Sequence, residues 1–217
     1  MPRRASQSKL PLLIVPSYAN LEQARDAARD CRACDLWKRG TQTVFGEGAA
    51  HARVMFVGEQ PGDKEDLQGK PFVGPAGGIL DKALVDAGIN RKQTYVTNAV
   101  KHFNWEPRGK RRIHKKANSL EIAACRQWLD VEIELVRPEV IVCLGATAAQ
   151  ALLGRSFRVT QQRGQLMPFD RAPHVLATVH PSSILRAPDD ESRHREYALF
   201  VDDLRVVAKA LRQQRAA

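Results

Sequence analysis

The sequence predicts an α/β fold, a three-layer sandwich whose central four-stranded, mainly parallel sheet carries helices on both faces. Three observations lead there. Four short runs, 54–57, 94–98, 139–144 and 174–179, have the length and the β-branched or apolar content of buried strands. Helix-length segments separate them, and strands spaced in this way pair in parallel. Each run ends in a polar or glycine-containing loop, and in such sheets ligands bind at the carboxyl ends of the strands.

The elements follow in order. Residues 1–18 read as a basic tail with a short apolar anchor, Leu10 to Val15, and residues 19–217 as a single domain without internal repeat or linker. Asn20 is suited to cap a helix that places Leu21, Ala24, Ala28 and Cys31 on one face. A glycine-rich approach, Gly46 to Gly48, leads into the first strand, which stops at Gly58 before the turn Glu59-Gln60-Pro61-Gly62-Asp63. The spacing predicts a helix from Ile79 to Ala87, stopped by Gly88, and then the second strand. From Lys101 to Lys116 there is no hydrophobic period and the stretch is rich in Lys and Arg. Asn118 and Glu121 form a capping-box pattern that opens a long helix to Val136, which Pro138 ends. After the third strand come Gly145 and an Ala-rich helix to Leu153, then a hairpin or irregular excursion from Gly154 to Met167. The fourth strand ends at His180-Pro-Ser-Ser, and a final helix from about Glu191 to Gln213 buries Tyr197, Phe200, Val201, Leu204 and Val207.

The 34 Lys and Arg against 24 Asp and Glu give a net charge of +10, a surplus that suits a polyanionic partner. A solvated basic surface is the plainer reading of the same numbers. No apolar run approaches the length of a membrane span, and Pro11 interrupts the early apolar patch, so a cytoplasmic monomer without a signal peptide or membrane attachment is expected. Neither a dinucleotide-binding glycine fingerprint nor a P-loop follows the first strand.

Four groups of residues carry chemistry. Cys31 and Cys34, as C-x-x-C, with Cys125 and Cys143, suit zinc or an iron–sulfur cluster, and spacing alone does not separate the two. Cys143, inside an apolar strand, equally reads as a core residue. Lys110, Arg111, Arg112, Lys115 and Lys116 surround His114 and suit a nucleic-acid backbone, or a solvated loop. An imidazole near neutral pH also serves as nucleophile or base. His180 at a strand end can stabilise an anion forming on a leaving group, or simply cap the strand.

In combination, Gly58-Glu59-Gln60-Pro61-Gly62 with Glu65-Asp66, Gly69 to Gly74, Thr97 to Lys101 and His180-Pro181-Ser182 resemble the uracil-DNA glycosylase superfamily. The four cysteines resemble those of its iron–sulfur family 4, which implies a structural [4Fe-4S] cluster held by Cys31, Cys34, Cys125 and Cys143. Gln60 departs from the alanine of family 4, and the insertion bearing His114 is absent there. Both features resemble the UdgX branch, whose members become covalently attached to uracil-containing DNA. The resemblance implies excision of uracil from DNA, preferably single-stranded, with His114 attacking C1′ of the sugar. It further implies that Phe72, Asn98, Gln60, Gly58 and Asp63 meet the uracil, that His180 stabilises the departing base, and that Glu59 orients or deprotonates His114. Lys110, Arg111, Arg112, Ser182, Ser183 and Arg186 would position the loop or the DNA strand. A turnover glycosylase and a non-catalytic iron–sulfur module that binds nucleic acid remain the alternatives.

Overall fold

The computed structural model describes residues 17–213; most of the tail expected over 1–18 lies outside them. In chain order the elements are α1 (Leu21–Arg29), β1 (Glu47–Gly48), β2 (Val54–Gly58), α2 (Asp63–Gln68), α3 (Pro75–Asp86), β3 (Thr94–Asn98), β4 (Trp105–Arg108), β5 (Arg111–His114) and α4 (Ser119–Val136). The second half continues with β6 (Val140–Leu144), α5 (Ala146–Leu153), α6 (Val159–Gln162), β7 (Met167–Phe169), β8 (Ala172–Thr178), α7 (Pro181–Leu185) and α8 (Asp190–Gln213).

The expected four parallel strands are the centre of a six-stranded sheet ordered β1-β3-β2-β6-β8-β7. The two additions, β1 and β7, are short antiparallel edges. Alternation along the strands divides the core. Val54, Phe56, Val96, Val142 and Leu176 pack with Leu80, Leu84, Phe200 and Leu204 of α3 and α8. Met55, Val57, Tyr95, Ile141, Cys143 and Ala177 pack with Leu129, Ile133 and Ala148 of α4 and α5. A third cluster lies beyond the far side of α4, where Cys125, Trp128 and Val131 meet Ala24 and Ala28 of α1.

Local chemistry sets the ends of the elements. Asn20 Oδ1 accepts from Gln23 N, and Asn118 accepts from Leu120 N and Glu121 N while Glu121 accepts from Asn118 N. The helix expected from Ile79 begins instead at Pro75, because proline at the first helical position loses no hydrogen bond. Gly74 to Gly78 is therefore a helix entry. The turn after β2 also coils, as α2, because Glu65 accepts from both Gly62 N (3.1 Å) and Gly74 N (2.7 Å). The excursion after Leu153 holds α6 and β7. The basic stretch folds as a hairpin, β4 against β5, around Gly109 at φ +61°.

Candidate active site

The site is built at the carboxyl ends of β2, β3 and β8. Gly58 closes β2 and pairs with Asn98, the last residue of β3. A Cβ on Gly58 would fall on Asn98 Oδ1 and come within 2.8 Å of Phe72 Cζ, so only glycine lets both side chains close over the strand end. Asn98 is buried, and its carbonyl accepts from Lys101 Nζ at 2.7 Å. Phe72 holds a left-handed backbone at φ +56°, a strained state for an aromatic residue. Its carbonyl sits so close to Gly77 that a side chain there would overlap it. The Phe72 ring lies 6.0 Å from His180, tilted by 29°. A flat apolar face, a carboxamide and an imidazole thus share one rim.

His180 caps α7. Its Nδ1 receives the backbone N–H of Ser182 (3.1 Å) and lies 2.8 Å from Ser182 Oγ. A backbone amide only donates, so Nδ1 is the acceptor and the proton resides on Nε2. Burial, and then the charges of Arg186 and His114, push the His180 pKa down to about 4. The ring is therefore neutral at pH 7, with an N–H to offer. Ser183 Oγ donates to the His180 carbonyl (2.8 Å), and exposed Arg186 ends α7. Both serines thus organise His180 directly.

The hairpin brings His114, the final residue of β5, to the same rim, exposed, with its ring 6.2 Å from Phe103. Lys110 and Arg111 are exposed at the tip. Arg112 turns inward: Nε meets Asp63 Oδ1 and Nη1 meets Asp66 Oδ2, each at 2.6 Å. Its guanidinium also stands over the Phe103 and Trp105 rings, at 5.4 and 5.6 Å. Gln60 Nε2 donates to Asn104 O (3.1 Å) and Lys115 O (3.0 Å), tying together the two feet of the hairpin. Gln60 Oε1 is buried without a partner among the described residues.

Two expected placements change. Asp63 is exposed and engaged by Arg112, outside the Phe72–Asn98 pocket, because it opens α2 on the hairpin side. Glu59 accepts from Ala117 N (3.2 Å) and Thr147 Oγ1 (2.7 Å) rather than from His114. It reaches the hairpin's trailing segment and not the imidazole.

The cysteines divide three to one. Cys31, Cys34 and Cys125 share the cluster between α1 and α4. Each receives an N–H: Trp128 Nε1 to Cys31 Sγ (3.1 Å), Leu36 N to Cys34, and Lys101 N to Cys125 Sγ (3.2 Å). Such donors stabilise metal-bound thiolates. Burial raises the Cys34 thiol, and it raises Cys125 to about 12. Cys143, expected as the fourth ligand, lies instead in the core under α4 and α5, and burial alone raises it to about 12. Strand alternation points it into the sheet face, on the other side of α4 from the other three. Among the described residues no three of His, Cys, Asp and Glu converge tightly enough for a single metal ion. A four-iron cube does not require that convergence, since each ligand meets a different iron.

Sequence reasoning missed Thr147 and the fully buried pair Lys101 Nζ–Glu132 Oε2 (2.6 Å), which also engages Thr97. Lys101 is indistinguishable by residue type from the surface lysines that follow it. His102, beside it, is also buried, and nothing in the local pattern marked it.

An aromatic face, a carboxamide and a neutral histidine thus meet at the strand ends of an α/β sheet. The sequence model of the uracil DNA glycosylase superfamily matches residues 45–205, and the chain belongs to that superfamily. Among curated relatives, a type-4 uracil-DNA glycosylase of Thermotoga maritima is 38% identical over 174 residues, 80% of this chain and 87% of its own. One from Archaeoglobus fulgidus is 35% identical over 178 residues, covering 77% and 86%. A type-5 uracil-DNA glycosylase of Pyrobaculum aerophilum is 31% identical over 177 residues, covering 74% of each chain. Among the described residues no helix is long and apolar enough to cross a membrane.

Proposed function

We propose that this protein excises uracil from DNA and then remains covalently attached, through His114, to C1′ of the sugar left behind. The observation that supports the reading is the shared rim: the Phe72 ring lies 6.0 Å from His180 beside Asn98, and His114 at the end of β5 is near enough to act electrostatically on His180. Membership of the superfamily supports the excision half.

The chemistry follows from the groups present. A uracil must leave the stack before its glycosidic bond is reachable, which single-stranded DNA allows without breaking a base pair. Phe72 stacks on the ring. Asn98 donates to uracil O4 and accepts from N3–H, whereas cytosine presents the reverse pattern. As the C1′–N1 bond breaks, its electron pair moves onto the base, and the neutral His180 offers Nε2–H to the developing oxyanion. The oxocarbenium sugar then takes the lone pair of a His114 ring nitrogen, forming the C1′–N bond, and the proton on the other ring nitrogen passes to water. Gln60 and Arg112 hold the hairpin that presents His114, while Lys110 and Arg111 meet phosphates.

A [4Fe-4S] cluster held in part by Cys31, Cys34 and Cys125 completes the proposal. These residues fit it, each thiol already facing an N–H donor. The group supplies a structural cross-link between α1 and α4.

Incubation with a labelled single-stranded oligonucleotide carrying one uracil, followed by heating in detergent and a denaturing gel, tests the reading. A shifted band that survives heat and is missing with a thymine control is expected. His114→Ser should remove that band while still releasing uracil, because water can then reach C1′. Free uracil in large excess over unmodified protein would instead establish turnover, a reading that the Glu59 contacts with Ala117 and Thr147 favour by leaving His114 without a base.

A further inference from the structure

We infer that the groove between α4 and α5 is a second binding surface for the substrate strand, holding the nucleotides on one side of the uracil. This role rests on the base-binding reading above and extends it along the DNA.

Three observations carry it. First, the groove is continuous with the strand-end rim. It is a cavity of about 570 Å3 lined by Ser119, Ile122 and Arg126 of α4 and by Thr147, Gln150 and Ala151 of α5. Its upper end is closed by Ala117 and Thr147, and both donate to the Glu59 carboxylate, at 3.2 and 2.7 Å. Glu59 in turn follows Gly58, which ends β2 in register with Asn98. A strand whose uracil lies beside Phe72 and Asn98 therefore has a direct continuation into the groove on the Glu59 side.

Second, the lining is positive. Lys116 at the upper end and Arg155 just beyond the lower end of α5 are exposed, and neither has an ion-pair partner among the described residues. Arg126 stands between them. The carboxylate of the lining, Asp130, is shared by Arg126 Nε (2.6 Å) and by Arg171 Nη1 from outside the groove, so its charge is more than balanced. Such a surface gathers a polyanion.

Third, the dimensions and the floor suit a strand. The 8 residues of α5 span about 12 Å at 1.5 Å each, room for about three stacked nucleotides at 3.4 Å per step. A small anion would leave most of that length empty. The floor of Ala117, Ile122, Ala123 and Ala151 offers no side-chain donor or acceptor to a base edge. Binding there follows phosphate charge and shape, without base preference.

Equilibrium binding tests this role apart from any excision, with oligonucleotides whose uridine carries a 2′-fluorine that slows glycosidic cleavage. A trinucleotide with a central uracil is compared, over a salt series, with strands extended on the 5′ side alone or on the 3′ side alone. Lys116→Gln combined with Arg155→Gln should abolish the affinity gained from one extension and spare the gain from the other. For the affected strand, the slope of log K against log salt should become shallower by about 1.4, the equivalent of two single-strand phosphate contacts. Lys209→Gln combined with Arg212→Gln removes the same charge from exposed sites on α8, across the sheet, and should leave both gains intact. Equal losses on the two flanks, or gains undiminished on both, would overturn the role. So would an acidic peptide that binds through Lys116 and Arg155 while neither flank depends on them, since the groove would then serve a protein partner. A trinucleotide bound no better with uracil than with thymine would overturn the base-binding reading, and this role with it.

Discussion

At the scale of single residues, the state of His180 is decided by two neighbours on its own short helix. Ser182 claims Nδ1, and burial keeps the ring neutral down to about pH 4, against an ordinary value of 6.5. The consequence for stability has a definite sign. Between pH 6.5 and 4 the unfolded chain binds a proton at this histidine that the folded chain refuses. The contribution of His180 is therefore complete above about pH 6.5 and is lost as the pH falls toward 4. Between pH 7 and 5 the loss is about 2 kcal/mol, or about 5 °C in Tm for a chain of this size. In His180→Gln, melting curves over that range should lack this increment, since glutamine can still accept from Ser182 N and does not titrate. The same neutrality predicts that uracil release in a single turnover keeps its His180-dependent step down to about pH 5.

At the scale of elements, the hairpin of β4 and β5 is the least legible part of the sequence. Its strands alternate poorly because they are half-exposed or exposed and belong to no larger sheet, so periodicity had no buried face to report. Gly109 between two four-residue runs was the available signal. By contrast, the four central strands and the helices α4, α5 and α8 were legible because burial on both faces, or on one helical stripe, writes itself as apolar spacing. Cys143 shows the limit of that approach: counting cysteines cannot tell which side of α4 each one occupies. His102 shows the converse, since an unpaired ring nitrogen is visible only once its neighbours are in place. Side chains fix the hairpin: Gln60 and Arg112, joined by Trp105 Nε1, which donates to Arg39 O at 2.9 Å. Gln60→Ala would remove the side-chain donor to the Lys115 carbonyl, at about 1–3 kcal/mol where water cannot reach, and one of the two donors to the Asn104 carbonyl, which keeps Lys115 N at 2.9 Å. We expect adduct formation to slow by at least 10-fold, with uracil release in a single turnover less affected, as rapid-quench time courses of both products would show. Equal losses in the two would mean that Gln60 serves the base and not the hairpin.

At the scale of the whole molecule, the cysteine flank and the strand-end rim meet in the loop that leaves β3. Lys101 Nζ reaches Glu132 on α4, Thr97 Oγ1 and the carbonyl of Asn98, all within 2.7 Å and out of water. Glu132 also accepts from Tyr95 Oη and Gly46 N, so one buried ion pair joins β3, α4 and the approach to β1. Removing one partner of such a pair strands the other charge, typically at 3–5 kcal/mol. Lys101→Met should therefore lower Tm by about 10 °C, as calorimetry would measure. Double replacement of Lys101 and Glu132 by Met and Leu should restore much of that loss. If the single variant melted like the parent, the pair would be no more than a bystander to stability.

The separateness of the hairpin has a consequence for inheritance. Because its two strands form their own sheet and are moored by side chains, loss of the unit would leave the six-stranded sheet and its strand-end rim intact. If the proposed attachment through His114 holds, release and capture would differ by one portable cassette and its moorings Arg39, Gln60, Asp63 and Asp66.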